Sequence, residues 1–424
     1  MDILLFRALS LLGLAILVAL AARRLRLPYT VGLVLAGAAL AATRSHAGLA
    51  LTHDLIFDVV LPPLLFEAAL NLSWSDLRRD LLPVIALSTI GVALCAAVVA
   101  GGLVTLLGWP LESALIFGAL ISATDPIAVI SLIKESRVTG RLSLLIEAES
   151  LFNDGAAAVL FTLILVWAAH DAAAQDPLAI LTTFATVAGG GLAAGFGVGL
   201  IAIMIVGSSE DHLVETAVTA VAAFGSFLIA EHFGASGVLA SVAAGMTLGN
   251  LGVLTEKQRF GVSFTPHGRA FALEFWEFAA FLANSLVFLL IGSALATVNF
   301  AREGWFALML VVALALLGRA IAVYPVCFAF VRSRWAIPLK QQHLLWWGGL
   351  RGALALALAL ALPAGLPMRD DILISAFAVV AFSVVVQGLT APLALKAANP
   401  TPLSMRGQAA NRDARSPPFE RRQK

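Results

Sequence analysis

Long apolar runs separated by short charged or Pro/Gly-rich punctuation repeat along the whole chain, many near the roughly 20 residues a helix needs to cross a bilayer. Dividing at that punctuation gives thirteen candidate spans: 3–22, 29–43, 54–72, 82–107, 112–134, 142–170, 178–206, 213–232, 235–250, 271–297, 304–332, 341–363 and 371–395. The second and ninth are short. The chain opens Met-Asp without a basic segment, and its apolar start reaches Ala22, longer than a signal-peptide core, so it reads as a retained first helix. The predicted fold class is all-α and polytopic, with about 13 transmembrane helices.

Composition agrees. With 60% hydrophobic residues, 12% charged and a mean hydropathy of +0.95, no large soluble domain fits. Near-neutral net charge hides an asymmetry along the chain. Loops on one side carry Arg23, Arg24, Arg26, Arg78, Arg79, Lys134, Arg137, Arg141, Lys257, Arg259, Arg269, Arg332, Arg334 and Lys340, and seven more basic residues follow from Lys396. The alternate loops hold only Arg44, Arg302 and Arg369, while Arg7, Arg319 and Arg351 fall within spans. The positive-inside rule therefore places the N-terminus outside and the C-terminus in the cytoplasm.

An odd number of spans makes six helices before the seventh enter the membrane oppositely to six after it, which permits inverted repeats. The expected organisation is a transmembrane domain over 1–396, with repeats at 3–170 and 213–395 joined by a linker helix at 178–206. The polar remainder, 397–424, reads as a short disordered tail. Gly191, Gly195 and Gly199 form a small-residue face on the linker, suited to packing within the subunit or to a dimer contact. Cys95 and Cys327 sit in apolar runs as packing residues.

Against this background ionised groups inside spans need a reason, since each costs roughly 2.5–3.5 kcal/mol on insertion scales. Glu67, Asp125, Glu149, Asp154, Arg319 and Arg351 all fall in the middle half of the bilayer when depth is counted at about 1.5 Å per residue. Thr124-Asp125-Pro126 predicts a break, because proline removes a backbone donor and clashes with the carbonyl one turn back. Its counterpart in the twelfth span is Trp-Gly-Gly-Leu-Arg-Gly at 347–352. Both are candidate broken helices, with Asp125 and Arg351 as countercharges to the half-helix ends. Glu149 requires a cationic partner, Arg319 or alternatively Arg351, because a guanidinium keeps its proton. Asp154 is left over. An acid without a permanent partner can hold a proton or a cation in turn, and Thr124, Ser150, Glu67 and Asn153 supply oxygens of the kind hard monovalent cations prefer.

Five motifs in order then resemble the NhaP-like sodium/proton exchangers of the monovalent cation:proton antiporter-1 family: Phe-Glu-Ala-Ala-Leu-Asn-Leu at 66–72, Thr-Asp-Pro at 124–126, Glu-Ser-Leu-Phe-Asn-Asp at 149–154, Gly-Arg-Ala-Ile-Ala-Val-Tyr at 318–324 and Gly-Gly-Leu-Arg-Gly-Ala at 348–353. The resemblance implies a thirteen-helix inverted-repeat fold, a homodimer, residence in a bacterial inner membrane, and a role in pH and sodium homeostasis. It implies a transport aspartate at Asp154 preceded by Asn153, Na⁺ ligation by Thr124, Ser150, Asp154 and Glu67, and a Glu149–Arg319 bridge. Asn-Asp in place of Asp-Asp is that family's mark of electroneutral exchange, one proton per Na⁺ or Li⁺. The expected partners are a monovalent cation, a proton and membrane lipid, with no nucleic acid, no cofactor and no enzymatic reaction.

Other classes fit less well. No His-Glu-x-x-His run exists and no serine or cysteine matches a histidine in depth, which disfavours an intramembrane enzyme. His232 and His343 read as interfacial residues. A cation channel would not place an arginine beside its central acids. Potassium/proton exchange on the same fold is the alternative within transporters.

Overall fold

The computed structural model describes residues 2–25, 27–42, 51–125, 140–168, 177–253 and 264–398. Pro126 with the remainder of the fifth expected span, Arg26, Arg44, Lys134, Arg137, Lys257, Arg259 and the tail from 399 lie outside the described residues.

The described residues are helical apart from short connections and one isolated bridge. In order they form α1 (Asp2–Leu25), α2 (Tyr29–Ala42), a π-helical turn (Leu55–Val60) leading into α3 (Leu61–Asn71), α4 (Trp74–Leu107), α5 (Leu111–Ser122) and α6 (Arg141–Ala168). Then come α7 (Pro177–Phe184), a π turn (Ala185–Gly189), α8 (Gly190–Val206), α9 (His212–His232), α10 (Gly237–Leu248) with a π turn (Gly249–Val253), and α11 (Pro266–Leu295). The rest are α12 (Trp305–Ala329), α13 (Leu339–Trp347), α14 (Ala353–Leu360), α15 (Arg369–Phe382), a π turn (Ser383–Gln387) and α16 (Gly388–Ala398).

Among the described residues seven helices are long and apolar enough to cross a membrane: 74–107, 141–168, 178–206, 212–232, 266–295, 305–329 and 369–394. Large apolar side chains such as Leu17, Phe184, Phe196, Met204, Phe306 and Phe328 point outward, the pattern of a chain solvated by lipid. The protein is an integral membrane protein. Two of the other expected spans are broken for local reasons. The fifth stops at Ser122, and the twelfth is divided into α13 and α14 by non-helical residues 348–352. The fourth instead begins early, at Trp74. Its polar first turns are joined to the apolar part through a kink at Asp80 (φ −116°, ψ 16°), whose carboxylate accepts from Arg141 Nε and Nη2 at 2.9 and 2.8 Å.

Two groups of helices carry most of the packing. In one, α11 lies along α2, and α10 is packed by α3, α8 and α9. In the other, α4 is packed by α5, α6 and α12, with α14 against α5 and α15. The glycine face of α8 turns inward within the subunit. A methyl at Gly191 or Gly195 would overlap the carbonyls of Ser236 or Ala240, and Gly199 faces Thr247, so the absent side chains let α8 approach α10.

Candidate functional site

The helix α6 presents Ile146, Glu149, Ser150, Asn153 and Asp154 along one face at helical spacing. That face meets the segment following α5 and the non-helical residues between α13 and α14. Those two interruptions cross: the Asp125 amide donates to Leu350 O at 2.6 Å in the isolated antiparallel bridge.

Each break exposes helix-end groups that need partners in low dielectric. The Arg351 guanidinium, buried, donates through Nη1 to Ser122 O at 2.8 Å and Ala123 O at 2.9 Å, capping the carbonyl end of α5. Reciprocally, the Asp125 side chain lies against Gly352, at the amide end of α14, so closely that a Cβ there would overlap the carboxylate. A cation at a carbonyl end and an anion at an amide end are the favourable signs for the macrodipoles. Cys95 joins this crossing, its sulfur 3.6 Å from Arg351 Nη2.

Arg319 on α12 grips Glu149 with both ends of its fork: Nη1 to Oε1 at 2.7 Å and Nη2 to Oε2 at 2.8 Å. Both side chains are closed off, 5% and 3% exposed. Arg319 Nη2 also donates to Leu345 O near the end of α13 at 3.1 Å. Gly349 passes so near Arg319 Nε that a side chain could not be added without moving the guanidinium.

One turn further along α6, Asn153 donates to Glu149 Oε1 at 3.2 Å and to Thr124 Oγ1 at 3.3 Å, while Ser150 Oγ donates to Thr124 O. Asn153 Oδ1 is buried and has no hydrogen-bond partner among the described residues, an oxygen suited to a hard cation or a water. Asp154 is half-buried, with the Thr124 backbone amide in reach and Asp125, Glu149 and Arg351 as its charged neighbours. Among the described residues it forms no ion pair. A cavity of about 10 Å³, room for one water, lies beside Thr124, Glu149, Ser150 and Arg319. Beyond Asp154, Gly155 is covered by Leu239 of α10, which with Val159 and Val187 makes an apolar contact between the two groups of helices.

Of the residues singled out from sequence, Thr124, Asp125, Glu149, Ser150, Asn153, Asp154, Arg319 and Arg351 therefore gather around the crossing. Glu67 stands on α3, in the other group, where Oε1 accepts from Asn71 Nδ2 at 2.9 Å; α3 also packs along α6. His343 is exposed, with Nδ1 hydrogen-bonded to the Tyr324 hydroxyl at 2.6 Å, and His232 is exposed as well.

The profile of the family described as "Sodium/hydrogen exchanger, transmembrane" matches residues 11–397. This chain belongs to that family. Among curated relatives it is 38% identical over 380 residues to the Na⁺/H⁺ antiporter ApNhaP of Aphanothece halophytica, covering 89% of this chain and 71% of that protein. It is 35% identical over 340 residues to the Na⁺/H⁺ antiporter NhaP of Pseudomonas aeruginosa, covering 78% of each. The fold is that of the sodium proton antiporter MjNhaP1 of Methanocaldococcus jannaschii, with a TM-score of 0.73 at 21% identity over 93% of this chain and 100% of that one.

Two members of this exchanger's crossing escaped the sequence reading. Gln387, 1% exposed, donates to Trp347 O at 3.1 Å at the end of α13, and Ser383 Oγ holds Gln387 Oε1 at 2.6 Å. Neither side chain carries charge, so a search for ionisable groups at mid-depth passes over them. The available signal was a glutamine interrupting Val-Val-Val-Gln-Gly in an otherwise apolar span.

Proposed function

We propose that this chain is a secondary antiporter that exchanges Na⁺ for H⁺ across the membrane by alternating access, serving pH and sodium homeostasis. The observation that carries the reading is the contrast within one helix face. Glu149 is neutralised by a bidentate arginine, whereas Asp154 is half-buried and without an ion pair among the described residues. Asp154 then takes a proton or a cation in turn, with Thr124, Ser150, Asn153 and Glu67 contributing oxygens on different parts of the path. Asp125 and Arg351 stabilise the two breaks, and Glu149 with Arg319 fixes α6 to α12.

One exchanging carboxylate makes the cycle electroneutral, one proton per cation. In this reading the polypeptide crosses the membrane thirteen times, as repeats at 3–170 and 213–395 around the linker 178–206. The N-terminus is outside, the C-terminus is cytoplasmic, and the chain acts as a homodimer in a bacterial inner membrane. With that orientation the Gly155–Leu239 contact lies on the outer side of Asp154. The names of the curated relatives favour Na⁺ over K⁺.

The test is dequenching of a pH-sensitive dye in everted vesicles on addition of Na⁺, Li⁺ or K⁺. Na⁺-driven dequenching that Asp154→Asn eliminates is expected. Equal responses from parent and Asp154→Asn vesicles contradict the proposal.

A further inference from the structure

The carbonyl end of α13 faces the crossing, and a half-helix that stops inside a membrane leaves acceptors that water does not reach. Gly348 N bonds back to Leu344 O at 2.7 Å, and Arg319 Nη2 takes Leu345 O. The Trp347 carbonyl receives Gln387 Nε2 at 3.1 Å. Gln387 belongs to the π turn Ser383–Gln387, and such turns re-aim side chains at functional sites. Its amide is oriented by Ser383, which donates to Oε1 at 2.6 Å, leaving the NH₂ end committed to donation. Both residues are buried and line a small cavity of about 10 Å³ together with Arg319, Gly349 and Arg351.

We propose that Gln387 is a positioning residue for cation exchange: by capping the Trp347 carbonyl it fixes where the 348–352 segment crosses the segment after α5, and hence where the Thr124 and Asp125 side of the site stands relative to Asp154. The connection is short. Trp347 is followed by Gly348 and Gly349, then by Leu350, whose carbonyl holds the Asp125 amide, and Arg351, which caps Ser122 and Ala123. The two glycines give this linker no side-chain packing of its own, so the cap at its start sets its course. Gln387 does not itself touch the cation. Its loss loosens the ligand set, which weakens cation binding more than it slows the movement between states. The inference rests on the exchange reading above.

The experiment measures Na⁺-dependent proton movement in proteoliposomes of the full chain for Gln387→Leu, Gln387→Glu, Ser383→Ala, Val384→Ala and Asp154→Asn. Gln387→Leu should raise KM for Na⁺ by about 5-fold or more with Vmax within about 2-fold of the parent. Ser383→Ala, which removes the group orienting the amide, should raise KM by about 2- to 3-fold. Val384→Ala, a buried packing change in the same turn, should lower Tm while leaving KM alone. Gln387→Glu supplies a readout that packing does not move: its ionised carboxylate cannot donate to Trp347 O, but its protonated form can. The KM ratio of Gln387→Glu to parent should therefore be largest at alkaline pH and shrink as pH falls.

Should Gln387→Leu fail to fold, Gln387→Glu and Ser383→Ala carry the test. A parental KM in these variants, or a Gln387→Glu ratio indifferent to pH, beside an inactive Asp154→Asn, overturns this inference alone. Parental exchange by Asp154→Asn overturns the exchange reading, and this inference with it.

Discussion

Glu149 and Asp154 are two acids five residues apart on one helix, and the membrane treats them oppositely. Glu149 is enclosed with both oxygens bonded to one guanidinium, and Asn153 donates to it as well. Asp154 is half-buried, and only neutral side chains lie on its own face of α6 beyond Glu149. Burial alone does not make an acid functional. What separates the two is whether a permanent countercharge arrives from another helix, and α12 supplies one at the level of Glu149. In the proposed cycle the first acid is a fixed part of the fold, and the second is the one that exchanges.

The largest effect should come from attacking the available acid. Asp154→Asn keeps size and polarity but removes the exchangeable group, so Na⁺-driven proton flux in vesicles should fall by about 100-fold or more. Its thermal stability should stay near that of the parent. A comparable loss from Glu149→Asp, which keeps the charge, would erase the contrast between the two positions.

Attacking the fixed acid should instead cost stability. Glu149→Gln strands Arg319 in low dielectric, and breaking one partner of a buried pair costs roughly 3–5 kcal/mol. Adding Arg319→Gln should recover part of the lost thermal stability, measured on purified protein in detergent. A double variant no more stable than the worse single one would break the pairing.

A methyl at Gly352 tests the crossing that both acids face. Gly352→Ala puts a Cβ into the Asp125 carboxylate, so exchange should drop by about 10-fold with a smaller change in Tm. Parental exchange by Gly352→Ala would show that Asp125 tolerates displacement.

The smallest effect belongs to an exposed counterpart of the Glu149 pair. In the loop before α12, Arg302 Nη1 reaches Asp370 at 3.0 Å and Nη2 reaches Asp371 at 3.7 Å, with these side chains about half or one-quarter exposed. Such pairs contribute little. Beside them Glu303 is pushed up to about 7, by partial burial first and then by a hydrogen bond to Asp371 and its charge, against the pull of Arg302. The folded state thus holds this proton more tightly than the unfolded chain. Its stabilisation is whole below the ordinary value of 4.5 and is lost as pH rises through about 7. Glu303→Gln should flatten that loss, changing the Tm difference between pH 5 and pH 8 by no more than about 2 °C. A larger change would place Glu303 in a tighter network than this loop provides.

Much of this was legible in the sequence because membranes make charge conspicuous. Ionised residues in apolar runs have few bland explanations, so Asp125, Glu149, Asp154, Arg319 and Arg351 could be singled out from depth and residue type alone. Helix interruptions were legible at Gly348–Gly349, where two glycines precede a charged residue. What the sequence left open was partnership. Arg319 and Arg351 have the same depth and chemistry, and only the packing of α12 and α6 against α4 decides that the first meets Glu149 while the second caps α5. Neutral caps were less visible still, since Gln387 does its bonding through a π turn that shifts its register relative to a regular helix. The short helix α5 shows a further limit: hydropathy marks where a chain is apolar, not where its helix stops.

The central claim is that one carboxylate, Asp154, changes places between a proton and a cation while Glu149 stays locked to Arg319. Counting charge tests it most directly. Proteoliposomes are clamped with K⁺ and valinomycin, after K⁺ alone has been shown to drive no proton movement, and the Na⁺-driven pH change is followed at imposed positive, zero and negative potentials. The account predicts one proton per Na⁺ and a rate indifferent to voltage. A rate that rises or falls with the imposed potential would contradict it, and would make a second acid, with Glu67 the first to examine, a proton carrier in the cycle.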